Sequence, residues 1–372
     1  MGSEGRIKIL DGFRSLSILA VVLLHYYSIW FPPKVSKSLY SYGSKFDYFS
    51  YGGYGVQFFF IISGFVIAYT LTRTDSVFYF WIKRLIRLLP SIVLCSAIIL
   101  FVFVLFDSDL IFPKSHKLIN FLYSITLISP EILNKLFSLR IQGDYISMNF
   151  WSLWPEVQFY FLAGLIYYFN KSKFVINFFV FVFAVTLVYN FINNEISSPY
   201  LFKFSESFIY IYHRFTFILS FLDFGAYFLL GVLFYGLYIN PESKLLIFSI
   251  VLSVLLIFYL ENGFVFNTFL PTHTILIMVA LFFIMIYRSH YLSFLSYSPF
   301  SIIGISSYTL YLIHHEIGVL LIYKFSSLFG TLDFIFPVLV AILMIGFSYF
   351  VYIFIEKPVS KFLYNKFFRN IY

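Results

Sequence analysis

Cysteine is nearly absent. A single residue, Cys95, stands in 372 positions, which excludes an internal disulfide and leaves no cysteine pair for a metal site. Charge is scarce as well. Asp, Glu, Lys and Arg together make up 11% of the chain, whereas a soluble domain carries about a quarter, so an ordinary soluble globule is excluded. No internal repeat, low-complexity linker or soluble appendage interrupts the sequence. The longest polar-leaning stretch, 107–149, is too short and mixed for a second domain, so residues 1–372 read as one membrane domain. No small-residue cleavage site follows the first apolar run and Arg14 interrupts it, which argues for a retained span and against a removed signal peptide. Basic clusters are missing too. The net charge of +8 is spread over many short segments, so nucleic acid is not an expected partner.

What the chain has is apolar length. Hydrophobic residues make up 61% and aromatics 24%, and long apolar runs recur from end to end. The expectation is an all-α integral membrane protein, a bundle of about ten transmembrane helices in the lipid bilayer. The spans are placed at 9–30, 54–72, 89–106, 150–169, 174–192, 215–238, 244–260, 272–287, 300–323 and 334–355. The apolar piece 118–128 is too short to cross and is taken as an interfacial or re-entrant helix. With this count, Lys and Arg are denser in the inner loops and ends, from Arg6 and Lys8 to Arg369, than in the longer outer segments with Lys34, Lys37, Lys45 and Arg140. That bias places both termini in the cytoplasm.

Within the spans, ionisable groups are costly and are candidates for function. The first span, LDGFRSLSILAVVLLHY from Leu10 to Tyr26, carries Asp11, Arg14 and His25. Arg14 and His25 lie eleven residues apart, about 20° past three full turns, so they share one helix face with a rise of roughly 16 Å between them. A snorkelling Arg and a packed His would look the same in sequence. The second span, GVQFFFIISGFVI, places Ser63 and Gly64 near its middle, where small residues allow close helix approach or leave room for a slim ligand arm. FYFWIKRLIRLLP brings Lys83, Arg84 and Arg87 to the mouth of the third span, with Pro90 at the helix start. Paired guanidinium groups suit phosphates, although positive-inside topology asks for the same residues.

WSLWPEVQFYF places Trp151 and Trp154 at an interface and Glu156 about six residues into the span, roughly 9 Å deep. SSYTLYLIHHEI carries His314 at a depth similar to that of His25 and Glu156. His314 and its neighbour His315 point about 100° apart, a poor chelating pair, and no metal is expected.

Taken together, RIKILDGFRSLSILAVVLLHY, GVQFFFIISGFVI, KRLIRLLP, WSLWPEVQFYF, SSYTLYLIHHEI and the terminal EKP resemble the acyltransferase 3 family of membrane proteins, in the family's order from Asp11 to Pro358. The resemblance implies a ten-helix bundle in the bacterial cytoplasmic (inner) membrane. It implies transfer of an acyl group, usually acetyl from acetyl-CoA, to a hydroxyl of a cell-surface or lipid-linked carbohydrate such as O-antigen or exopolysaccharide. Arg14 and His25 match the family's Arg-x10-His motif as its essential pair, and Arg84 and Arg87 match the Arg-x-x-Arg motif of the CoA side. With acyl-CoA as donor substrate, Arg14, Ser63 and Gly64 would border its arm. His25 would act as general base with Glu156 orienting it, or would carry a transient acyl group. His314, Trp151 and Asp11 would support the site or face the acceptor.

Two features depart from the family. Glu316 stands where members often have Pro, and the chain ends soon after the last span where many members continue into an esterase-like domain. It would then act alone or hand its acyl group to a separate extracytoplasmic transferase partner. The alternative is a polytopic transporter or flippase for a glycan-lipid or small anion, which also uses buried Arg, His and Glu but often shows internal repeats.

Overall fold

The computed structural model describes residues 7–28, 47–137, 142–199, 201–262 and 269–368. Among them every regular element is helical, as the apolar runs require, since a backbone in lipid must satisfy its own hydrogen bonds. The end of the first span and the cations Arg6, Lys34, Lys37, Lys45, Arg140 and Arg369 lie outside the described residues. The α-helices are α1 (Lys8–Tyr27), α2 (Tyr54–Leu71), α3 (Val77–Phe106), α4 (Leu118–Ser124), α5 (Pro130–Phe137), α6 (Leu153–Phe169), α7 (Phe174–Ser197) and α8 (Glu206–Thr216). They continue with α9 (Phe221–Ile239), α10 (Lys244–Asn262), α11 (Phe269–Tyr287), α12 (Ser298–Ile305), α13 (Ser307–Phe325), α14 (Phe336–Val351) and α15 (Lys357–Phe368).

Seven stretches among the described residues are long and apolar enough to cross a membrane. The difference from ten has local causes. Helix α6 has only 17 residues, because Met148–Ser152 forms a 3-10 turn ahead of it. Helix α11 is followed by a bend of 103° into the turn Ser289–Ser296. The run Ser307–Phe368 counts once, although it folds back at Gly330, whose φ of 54° and ψ of −121° leave the helical region. Helix α4 is seven residues long and cannot cross.

Two further expectations are corrected. The third helix does not start at Pro90: it starts at Val77 and runs through the proline. Proline removes one N–H and pushes on the carbonyl four residues back, which here belongs to Ile86. That carbonyl accepts a hydrogen bond from the Ser360 hydroxyl of α15 at 3.3 Å, so the helix survives with its lost bond replaced. The span placed at 300–323 is likewise two helices, α12 and α13, parted at Ser306. The Ser306 and Ser307 hydroxyls bond back to the carbonyls of Ile302 and Gly304, at 2.9 and 2.8 Å, which competes with continuation of the helix.

The chain divides into two compact units. The first comprises Met1–Val56, Trp81–Ser152 and Ser293–Tyr372. Helix α1 runs through its core with Phe13, Ile18, Val21 and Tyr26 buried, packed on α12 and α13. Lipid tails are as apolar as these side chains, so close backbone approach holds helices together here more than exclusion from water does. Gly304 of α12 meets the Asp11 backbone and Gly318 of α13 meets the Tyr26 hydroxyl so closely that neither position has room for a Cβ. The terminal EKP motif has a packing role as well. After α14 the helix widens into a π-turn, Tyr352–Glu356, and the buried Glu356 carboxylate accepts the Thr309 hydroxyl of α13 at 2.5 Å.

The second unit comprises Gln57–Phe80 and Leu153–Leu292. Helix α9 is its axis, buried continuously from Gly225 to Leu237, with α6, α7 and α10 around it. Phe159 of α6 stacks on Phe228 with ring centres 4.3 Å apart. Gly64 of α2 and Gly231 of α9 touch, and a Cβ on either would strike the other helix's backbone.

Candidate active site

Asp11, Arg14 and His25 all stand on α1, one unbroken helix. Asp11 is buried and accepts from Nη1 of Arg14 at 3.0 Å, so the cation enters the helix face already paired. Three turns on, His25 meets α13. Nε2 of His314 lies 3.2 Å from Nδ1 of His25. The surrounding hydrogen bonds assign the tautomers. Nδ1 of His314 faces the carbonyl oxygens of Leu310 and Tyr311, at 3.1 and 2.9 Å, and must donate, which leaves its Nε2 an acceptor. Nδ1 of His25 lies 3.0 Å from the Val21 carbonyl and also donates. Nε2 of His25 therefore keeps its lone pair, and among the described residues it has no hydrogen-bond partner. An imidazole held this way can accept a proton from a bound hydroxyl.

The tertiary structure adds residues that the sequence reading passed over. His315 also reaches His25, its ring centre 4.4 Å away and nearly edge-on. Its Nδ1 lies 3.2 Å from Oε1 of Glu316. Glu316 is buried, and its two oxygens accept from the Ser147 hydroxyl at 2.6 Å and the Met148 N–H at 2.8 Å. The same turn bonds to Tyr311, through Ser152 Oγ at 2.9 Å and Asn149 Nδ2 at 3.4 Å, and carries Trp151 with its ring exposed. The segment leading into the turn is ordered by side chains in place of a strand partner. Ser115 donates to the Ile146 carbonyl at 2.8 Å, and the Asp144 and Ile146 N–H groups donate to Asn120 and Ser124, each at 2.8 Å. A carboxylate beside a histidine is a visible signal in HHE; the 100° between His314 and His315 speaks only against joint chelation of a metal.

A prediction arises from this packing. Gly318 faces the Tyr26 hydroxyl, which donates to the His314 carbonyl at 2.9 Å. Gly318→Ala must push Tyr26 or α13 aside and is expected to cost about 1–3 kcal/mol, with most activity lost. Melting of the detergent-purified variant checks it, and an unshifted Tm would mean that the two helices yield freely.

Glu156 belongs to the second unit. Its Oε1 accepts both the Ser63 hydroxyl, at 2.8 Å, and the Tyr160 hydroxyl, at 2.5 Å, while Oε2 has no hydrogen bond among the described residues. Ser63 and Glu156 are thus brought together, with Tyr160 as a third member that the sequence reading did not single out. Gly64, in contrast, turns its small face to α9, so helix approach accounts for it. Arg84 and Arg87, in the first unit, lie on adjacent parts of one helix surface, the former buried and the latter exposed. Among the described residues no group of three or more His, Cys, Asp and Glu is arranged to hold a metal ion.

Comparison with known proteins speaks to this constellation. A family model described as an acyltransferase domain, acyltransferase 3, matches residues 7–356, which include every polar group above. The chain belongs to the acyltransferase 3 family. It is similar to the O-acetyltransferase OatA proteins of Staphylococcus aureus strains NCTC 8325 / PS 47, COL and MRSA252. Each is 24% identical over 390 residues, covering 95% of this chain and 57% of the relative. The chain therefore spans little more than half the length of these relatives. No solved structure matches it. For this family member, the long apolar helices make a multi-pass membrane protein.

Proposed function

We propose that this acyltransferase 3 member transfers an acyl group, acetyl in the first instance, from cytoplasmic acyl-CoA to a hydroxyl of a cell-surface or lipid-linked carbohydrate. The observation that carries the reading is the polarised imidazole of His25. Its Nδ1 is committed to Val21 and faces His314, its Nε2 is left basic, and Arg14 stands on the same helix face. In the reaction Nε2 removes the acceptor hydroxyl proton as that oxygen attacks the thioester carbonyl carbon. The C–S bond then breaks, the thiolate leaves and takes the proton from His25, and the products are the ester and free CoA. A water-poor site within the bilayer would suppress thioester hydrolysis.

In this reading the protein crosses the bacterial inner membrane ten times with both termini cytoplasmic. Ser307–Phe368 supplies two spans, and Leu153–Phe169 and Phe269–Tyr287 supply one each. Arg84 and Arg87 hold the CoA phosphates, Arg14 a deeper polar part of the arm, and Ser63 borders it. Trp151 and His314 lie toward the acceptor, and Asp11 sets the orientation of Arg14. The carbohydrate takes the acyl group directly, or a separate extracytoplasmic transferase receives it first. Family membership and the names of the relatives favour transfer chemistry over a transporter or flippase.

The test is incubation of the purified protein in vesicles with radiolabelled acetyl-CoA and candidate glycans. Label in the glycan supports the proposal; accumulation inside vesicles without transfer supports the transporter. Replacement of Arg84 or Arg87 by Ala is expected to raise the KM for acetyl-CoA about 10- to 150-fold, the worth of a charge-assisted phosphate contact, with little effect on the acceptor KM. An unchanged donor KM in both variants would leave these arginines as topology signals only.

A further inference from the structure

We infer that Glu316 is a positioning residue for the transfer reaction and acts on His25 through His315. The inference rests on the acyltransferase reading. Glu316 follows His314 and His315 in the middle of α13 and is 1% exposed, so the carboxylate does not face lipid or water. Both oxygens accept hydrogen bonds, Oε2 from Ser147 and Oε1 from the Met148 N–H, as an ionised carboxylate does. Ser147 Oγ itself accepts from the Asn149 N–H at 3.3 Å, which commits its proton to Glu316.

The charge then reaches in one direction. Oε1 lies 3.2 Å from Nδ1 of His315, and the His315 ring meets His25 at a centre-to-centre distance of 4.4 Å. Phe112 closes another side of His315, edge-on with ring centres 5.6 Å apart. The apolar wall keeps water from screening the charge. With the His315 ring neutral between them, the Glu316 carboxylate stabilises through space the positive charge that develops on His25 as it takes the acceptor proton, because an opposite charge nearby favours the protonated ring.

A loop anchor alone would not need a charge. A glutamine with its oxygen at Oε1 keeps the Met148 N–H and gives up only the bond from Ser147, the same bond that Ser147→Ala removes. Burial of a full carboxylate is costly, and its placement against the His315–His25 row gives that charge a use. This carboxylate is distinct from Glu156, whose hydrogen bonds run to Ser63 and Tyr160.

The experiment compares kcat and the KM for acetyl-CoA in purified wild type, Glu316→Gln, Ser147→Ala, His315→Gln and Glu316→Gln/His315→Gln, with thermal melting as the check on folding. Glu316→Gln is expected to lower kcat about tenfold or more with the donor KM nearly unchanged. Ser147→Ala, which removes a hydrogen bond from the same carboxylate and keeps the charge, is expected to lose much less. His315→Gln breaks the row without touching the loop anchor and is expected to match Glu316→Gln. Adding Glu316→Gln to it should then cost little more. Equal losses in Glu316→Gln and Ser147→Ala would overturn the inference and leave a loop anchor. Wild-type turnover in His315→Gln would overturn it even where Glu316→Gln does not fold. No transfer by wild type itself would overturn the acyltransferase reading, a result separate from either of these.

Discussion

His25→Ala protein is expected to insert, purify and melt almost as wild type, yet to transfer acetyl at below about one hundredth of the wild-type rate, the usual worth of a positioned general base. The ring does little to hold the fold. It is only partly buried, and its hydrogen bonds run to the Val21 carbonyl, already within its own helix, and to His314. Alanine is a strong helix former, so α1 should persist, and Tyr26 still ties the helix to the His314 carbonyl. What is lost is the basic Nε2. His25→Gln is the sharper companion, because its amide fills the space and keeps polarity but cannot take up a proton at neutral pH. The measurement is label transfer from acetyl-CoA to glycan by each monodisperse variant. Near-normal turnover in either would remove the general-base role, and accumulation of labelled protein in wild type would point to an acyl-His25 intermediate.

The second large effect is expected at Glu156. Glu156→Gln should lower kcat by about one to two orders of magnitude. Its local geometry makes the substitution unusually clean. Both observed hydrogen bonds, from Ser63 and Tyr160, fall on Oε1. A glutamine placed with its oxygen there keeps them, and its NH2 takes the place of Oε2. The substitution therefore removes the charge and the second acceptor while leaving the Ser63–Tyr160 contacts in place.

If Glu156 serves His25, the two losses should not add. Once His25 is Ala, Glu156→Gln should cost little more, because residues that work as one unit are not independent. The comparison needs residual turnover above the no-enzyme blank. A fully additive double variant would place Glu156 in separate work, such as holding the acceptor sugar. Wild-type turnover in Glu156→Gln would reduce it to an acceptor for Ser63 and Tyr160.

The sequence by itself determined that this is a helical membrane protein, because its apolar runs are unbroken and near the roughly 20 residues of a helical span, where a barrel strand would be short and alternating. It also singled out Arg14 and His25, since helical spacing alone puts both on one face, and the ordered motifs pointed to the family that residues 7–356 match. The ion pair of Asp11 with Arg14 fits their three-residue spacing, although the sequence reading did not draw it.

Only the tertiary structure decided the rest. The meeting of His25 with His314 and His315 joins residues almost 290 positions apart, and hydropathy carries no record of which helix faces which. Helix ends moved for a similar reason. Pro90 reads as a start by local preference, but α3 continues because Ser360, 270 residues on, bonds the carbonyl that proline strands. Ser306, within an apolar run, interrupts α12 and α13 through hydroxyl-to-carbonyl bonds that composition cannot weigh. Glu316 read in sequence as a residue in proline's place. Its partners, Ser147 and the Met148 N–H, come from a turn that local sequence does not connect to it, and the cost of burying its charge is met only when the folded chain brings that turn to it.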